Sequence, residues 1–289
     1  MKIDYIISPY NHFYREIFKN YFDARLINPF DRDQVMSMPP NSNKIFLFAD
    51  RMSLQYIVNS NGTGKNIIFF RRHELYDVPA NLVLQSKHKF FKVYTLNSFL
   101  QNKLKLNYGI DSDIEKNYIN EDIWVYAHRK HGDKIAWVGE FKDRKAPDYI
   151  VEAAQYYEHY QFHCAVSNGP MKQLYLDFIT NYGLKNVFIY EDIDSQEKMN
   201  DFLNDKNYLL TTSISEGLPN CVLEALAKGI KPIIRNYPGN MFNEFTYGSL
   251  VGIQAHLNSQ YNSFEYRELI TNNYGLNQFL QFRDKIVAA

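Results

Sequence analysis

The stretch Thr212-Ser213-Ile214-Ser215-Glu216-Gly217-Leu218-Pro219-Asn220-Cys221-Val222-Leu223-Glu224-Ala225-Leu226-Ala227-Lys228-Gly229-Ile230-Lys231-Pro232-Ile233-Ile234 decides the fold. An apolar strand over Tyr208 to Thr212 ends in small polar residues and a glycine turn follows. An Ala/Leu-rich helix then begins near Pro219 and stops at Gly229. Proline in the first helical turn and glycine just past the last are the expected punctuation. The loop and helix N-terminus fall at the carboxyl edge of a sheet. There, free backbone N–H groups and the positive end of the helix dipole favour an anion such as a diphosphate. Glu216 in the loop and Glu224 one to two turns into the helix can face one crevice and accept hydrogen bonds from ligand hydroxyls.

Working outward, strands are expected at Lys134 to Val138, Gln161 to Val166, Asn186 to Tyr190 and Lys231 to Arg235, separated by amphipathic segments at Pro147 to Tyr157, Met171 to Tyr182 and Gln196 to Asn204. Upstream, β-rich runs occur at Ile3 to Ile7, Lys44 to Phe48, Asn66 to Phe70 and Phe90 to Tyr94, with helical segments at Phe13 to Phe22 and Ser53 to Asn59. Strand and helix alternating at this spacing predict right-handed, doubly wound parallel sheets. Two such α/β domains are expected, over residues 1–118 and 119–272, with the polar run Asp111 to Asp122 as linker. A final helix within 273–289 has no following strand to serve and is expected to pack back on the first domain.

The chain has 289 residues, of which 45% are hydrophobic and 22% charged, a soluble globular composition that excludes collagen, coiled coil and wholesale disorder. Thirty-two Lys and Arg balance thirty-two Asp and Glu, but residues 1–120 carry sixteen bases against eleven acids, a surplus of +5. Cys164 and Cys221 cannot make the disulfide framework of a secreted domain, and no apolar run approaches a membrane span, so a cytoplasmic location is expected.

Glu216 and Glu224 stand as Glu-x7-Glu within S-E-G-L-P-N-x-x-L-E-A-L-A-x-G-x-x-P. This segment resembles the donor-site motif of glycosyltransferase family 4, whose fold is GT-B: two Rossmann-like doubly wound domains facing a cleft. The resemblance implies that Glu216 holds sugar hydroxyls, that Glu224 holds the nucleotide ribose, and that Gly217, Leu218 and Pro219 line the donor. It also implies an acceptor-side first domain, a nucleotide diphosphate sugar as donor (a UDP-sugar foremost), transfer of a hexosyl or pentosyl group with retention, and no required cofactor or metal.

Upstream, Ile135-Ala136-Trp137-Val138-Gly139-Glu140-Phe141-Lys142-Asp143-Arg144-Lys145-Ala146-Pro147 resembles the family's strand-Gly-Arg-x4-Lys-Gly segment. Gly139 lies at the donor side and Lys145 on the lysine position. Glu140 replaces the arginine and Ala146 the glycine after the lysine. Arg144-Lys145 reproduces an Arg-Lys variant and is assigned as the phosphate clamp, against the alternative of a solvated basic loop. His73, after the strand ending Phe69-Phe70, resembles the family's active-site histidine, and Gly239 to Glu244 loosely matches its glycine-rich turn and glutamate. The glycine-rich turn after the first strand is missing. Gly62-Thr63-Gly64-Lys65 lacks the spacing of a phosphate loop, and no metal-ligand spacing appears.

Ser86-Lys87-His88-Lys89-Phe90-Phe91-Lys92 interleaves bases and aromatics, which suits an anionic acceptor. A modified DNA base, as in a phage-encoded transferase, and a lipid-linked or cell-surface glycan both meet that description; a solvated strand end is the bland alternative. A non-catalytic nucleotide-sugar-binding protein of the same fold is the rival reading, which Glu140 and the missing glycine turn favour.

Overall fold

The computed structural model describes residues 3–7, 21–28, 31, 33–34, 44–48, 54–55, 58, 67–71, 79–167 and 169–288. The chain divides into two units, Met1–Ile119 with Leu276–Ala289, and Asn120–Gly275.

In the first unit, strands β1 (Ile3–Ile7), β2 (Arg25–Ile27), β3 (Lys44–Phe48), β4 (Ile67–Arg71), β5 (Phe90–Thr95) and β6 (Asp113–Ile114) form a parallel sheet in the order β2-β1-β3-β4-β5-β6. The first five follow a 2-1-3-4-5 doubly wound order. Near-continuous apolar strands let the sheet bury both faces; Ile7, Ile27, Ile67, Phe69, Phe90 and Val93 meet Leu82 and Val83 of α1 (Ala80–Ser86) and Leu104 of α2 (Ser98–Tyr108). Asn97 caps α2 by accepting from the Leu100 N–H at 2.9 Å, and Gly109 closes it at φ 66°.

The division between the two units falls inside the expected linker Asp111 to Asp122, between Ile119 and Asn120, and the run carries structure of its own. β6 pairs with β5 there, and Asn117, Tyr118 and Ile119 are buried. Two strand residues are too few to announce themselves by periodicity.

The second unit contains β7 (Lys134–Glu140), β8 (Gln161–Ser167), β9 (Val187–Tyr190), β10 (Tyr208–Thr211), β11 (Lys231–Arg235) and β12 (Thr246–Tyr247), all parallel, in the order β12-β11-β10-β7-β8-β9. Numbered within the unit this is 6-5-4-1-2-3, the doubly wound dinucleotide-binding order, and its direction reverses between β7 and β10. Helices α3 (Asp148–Tyr156), α4 (Lys172–Asn181), α5 (Gln196–Phe202), α6 (Asn220–Ala227), α7 (Leu250–Asn258) and α8 (Ser263–Asn273) complete it.

One face of this sheet, with Ile135, Trp137, Phe162, Cys164, Tyr208, Leu210 and Ile233, packs on Ile150, Ala153 and Ala154 of α3 and Ile253 and Leu257 of α7. α6 is mainly apolar and buried from Val222 to Ala227, with Glu224 as the one acid in that buried stretch. Packing on α8 covers one side of it, where Arg267 Nη1 donates to Ala227 O at 2.8 Å. Gly229 ends it at φ 75°, where a Cβ would lie 2.8 Å from the Tyr126 ring. Glycine is therefore required on both conformational and steric grounds.

The last helix, α9 (Leu276–Ala288), packs within the first unit. Its buried stripe Phe279, Phe282 and Ile286 sets Phe279 edge-on to Tyr21, Phe22 and Tyr118 and Phe282 edge-on to Tyr94.

The basic run of Ser86 to Lys92 does not present three free lysines. Lys87 and His88 are exposed, whereas Lys89 is buried, and burial lowers its pKa. Lys92 is bound to Asp113 at 2.7 Å. Among the described residues no helix is long and apolar enough to cross a membrane.

Candidate functional site

Ligands of doubly wound sheets bind beyond the carboxyl ends of the strands at the point where strand order reverses. Here that point lies between β7 and β10, and the loops leaving these two strands carry Arg144, Lys145 and Glu216. Arg144 Nη1 donates to Glu216 Oε2 at 3.0 Å and to Ser215 O at 3.3 Å, and Lys145 Nζ donates to Glu216 Oε1 at 2.6 Å. The Glu216 side chain is 10% exposed. Burial pushes its carboxyl up, but the charges of Lys145 and Arg144, with hydrogen bonds from Lys145 and Ser213, outweigh that and hold it below its ordinary value.

Backbone contacts fix the two loops to each other. Ile214 N donates to Arg144 O at 3.0 Å, and Thr212 Oγ1 donates to Lys145 O at 2.5 Å while accepting from Trp137 Nε1 at 2.9 Å. The Arg144–Lys145 turn is a short 3-10 segment, Asp143–Lys145, closed by Ala146 in the left-handed region at φ 40° and ψ 60°. That conformation is the reason a glycine is expected here, and alanine adopts it at a cost. Gly139 lies under the same cluster: a Cβ there would meet the Trp137 ring at 3.0 Å and the Lys145 stem at 3.6 Å.

Glu140, the acid at the expected arginine position, is ion-paired with Lys142, so its charge is balanced within the loop. Gly217, Leu218 and Pro219 are buried between this cluster and α6, with Pro219 at the helix N-cap. Glu224 is 5% exposed, and among the described residues its carboxyl has no hydrogen-bond or ion-pair partner. Burial pushes it up to about 8. Burial raises the pKa of the Cys221 thiol; Lys145 opposes that shift, and Glu224 and Glu216 add to it.

The structure thus brings Arg144, Lys145 and Glu216 into direct contact and sets Glu224 on the adjoining helix. His73 lies outside the described residues, as does the Gly62–Lys65 turn. Gly239 is left-handed at φ 86°, and Glu244 is exposed. Among the described residues no group of three or more His, Cys, Asp or Glu could hold a metal ion.

Sequence reasoning passed over Arg235, the last residue of β11, and Thr212. Arg235 Nη1 donates to Thr212 O at 3.3 Å, and its guanidinium lies 4.0 Å over the Tyr149 ring. The signal was present: a charged residue closes β11, directly after the apolar Pro232-Ile233-Ile234, beside the site.

Residues 119–242 match the family model for glycosyl transferases group 1. Among solved structures the chain is similar to TarM of S. aureus at 15% identity and a TM-score of 0.67, covering 85% of this chain and 55% of TarM. The apo lipopolysaccharide outer core galactosyltransferase WaaB gives 15% identity and a TM-score of 0.65 over 100% of this chain and 99% of its own. The pneumococcal O-GlcNAc transferase GtfA, in complex with UDP and GlcNAc, gives 13% identity and 0.63, covering 85% of this chain and 57% of GtfA. This chain therefore spans little more than half the length of TarM and GtfA. No curated protein matches it in sequence. The fold is GT-B, α/β with two Rossmann-like parallel-sheet units, and the chain resembles the group 1 glycosyl transferases within it.

Proposed function

We propose that this chain is a glycosyltransferase that moves a hexosyl or pentosyl group from a UDP-sugar to an acceptor, retaining the anomeric configuration and using no bound metal. The observation that carries the reading is the contact of Arg144 and Lys145 with Glu216 at the reversal point of the second sheet. As the bond from the sugar's anomeric carbon to the diphosphate breaks, negative charge grows on the leaving group. Two positioned cations beside a helix N-terminus stabilise that charge more than the ground state. Arg144 and Lys145 fill this role, Glu216 accepts from sugar hydroxyls, and Glu224 accepts from the ribose. His73 is a further contact to the donor sugar by resemblance. UDP as the nucleotude part follows the GtfA complex, and retention follows the group 1 resemblance. A cytoplasmic location suits the two free cysteines.

For the acceptor we keep an anionic group, a modified DNA base or a lipid-linked or cell-surface glycan, on the strength of the +5 surplus in residues 1–120. Arg144→Ala and Lys145→Ala are expected to lower kcat by about 10²-fold, the usual loss for an electrostatic stabiliser, with smaller changes in donor KM. Turnover of both variants within about threefold of the parent removes the pair from the chemistry.

A non-catalytic nucleotide-sugar binder is the second reading. The double ion pair favours it, because Glu216 already engages both cations and offsets one of their two positive charges. Binding of UDP-sugar with neither transfer nor release of free sugar would establish it.

A further inference from the structure

Lys142 is paired with Glu140, and Arg144 and Lys145 share Glu216. Arg235 completes the set of cations at this carboxyl edge, and among the described residues it has no carboxylate partner. It is half-buried, a placement that is costly for a charge without a counter-ion.

Its guanidinium is nevertheless fixed. Tyr149 supports one face, a stacking geometry suited to a planar cation. Thr212 O accepts from Nη1. Thr212 also donates its hydroxyl to the Lys145 main-chain carbonyl, so a single buried residue ties the Arg235 guanidinium to the backbone that carries Lys145. With Nη1 engaged, the edge formed by Nε–H and Nη2–H has no acceptor among the described residues. That edge is two parallel donors, the geometry that receives both oxygens of a carboxylate.

We propose that Arg235 is a specificity-determining residue that selects a donor whose transferred sugar carries a carboxylate. The proposal rests on the UDP-sugar reading above. The donor sugar is the source of the carboxylate because Arg235 shares Thr212 with Lys145, and Lys145 is the residue assigned to the diphosphate that bears the sugar. Lys would not serve equally, since an ammonium lacks the parallel pair of donors.

The experiment is calorimetric titration of the full chain with UDP, UDP-glucose and UDP-glucuronate, repeated on Arg235→Gln and Arg235→Lys. The parent is expected to bind UDP-glucuronate at least tenfold more tightly than UDP-glucose. The preference should fall to within about twofold in Arg235→Gln and should be only partly kept in Arg235→Lys, with UDP affinity equal in all three. UDP binding by the parent without preference for the uronate overturns the role of Arg235 alone, as does a preference that survives Arg235→Gln in protein that still binds UDP. Failure of the parent to bind UDP or either sugar nucleotide overturns the UDP-sugar reading and this proposal with it. Equal UDP affinity in the variants also shows that the substitutions leave the unit folded.

Discussion

Ala146 shows how one residue's backbone carries the geometry of a site. It turns the chain from the Arg144–Lys145 segment into α3, and it does so at positive φ. A left-handed alanine costs roughly 1–2 kcal/mol, and glycine's greater unfolded-state freedom returns about 0.5–1 of that. Ala146→Gly is therefore expected to leave stability unchanged or raise it by up to about 1.5 kcal/mol in urea unfolding. Ala153→Gly, inside α3 and fully buried, should lose 1 kcal/mol or more. A comparable loss at both positions would mean that the Ala146 backbone carries no strain.

Glu224 belongs to the same scale. Burial raises its carboxyl from 4.5 to about 8, so the folded chain holds a proton in that window which the unfolded chain has released. Its contribution to stability is present below pH 4.5 and lost as pH rises toward 8. A ribose hydroxyl donates best to the ionised form, so UDP-glucose should bind more tightly as pH rises from 6 to 8. Titrations across that range should show a gain of about tenfold or more in the parent and a flat profile in Glu224→Gln. A flat parent profile would take the ribose contact away from Glu224.

Among the elements, β8 sets a histidine where a parallel strand ordinarily places an apolar residue. His163 is 6% exposed, stacks on Phe188 at 5.0 Å and meets the Tyr190 hydroxyl through Nδ1 at 2.9 Å, while among the described residues Nε2 has no hydrogen-bond partner. Burial first, and Lys206 second, lower its pKa to about 4 from 6.5. The unfolded chain takes up a proton between these values and the folded chain does not. The stability is thus full above pH 6.5 and lost as pH falls toward 4. Between pH 7 and 5 His163 accounts for a fall of about 2 kcal/mol, and His163→Phe should remove that part of the acid slope in urea unfolding. An acid slope unchanged by the substitution would assign it to other groups.

The strands that were legible in sequence share one property: they are long enough to show a mainly apolar run. β1, β3, β4, β5 and β7 to β11 are of this kind, and their ends shift by a residue or two. β2, β6 and β12 are two or three residues long and become strands only because a neighbour's edge is free to pair. α2 and α8 have no counterpart among the helices expected from sequence, since each buries only two or three side chains. In the candidate site, Glu216 and Glu224 stand out by their spacing within the segment after β10, and Arg144 and Lys145 by their place in the segment after β7. Arg235 was not, because its relation to Thr212 and Tyr149 crosses three elements and leaves no local pattern.

For the whole molecule, zero net charge hides the basic surplus of residues 1–120, and folding decides which of those charges can meet a partner. Along Ser86 to Lys92 the partition is uneven: Lys87 and His88 face solvent, while Lys92 is spent on Asp113 and lies over the Tyr94 ring at 5.9 Å. Each phosphate contact contributes roughly one unit to the slope of log affinity against log salt. On a polyanionic acceptor, Lys87→Gln is expected to flatten that slope by about one unit, and Lys92→Gln should change it by well under one unit because its charge is already compensated. Measuring kcat/KM from about 50 to 200 mM salt on DNA and on vesicle-borne glycan reads both values. A full unit lost on Lys92→Gln would show that the acceptor displaces Asp113. No salt dependence on either acceptor would mean that the acceptor is uncharged where it meets this strand, so that recognition there rests on hydrogen bonds and stacking.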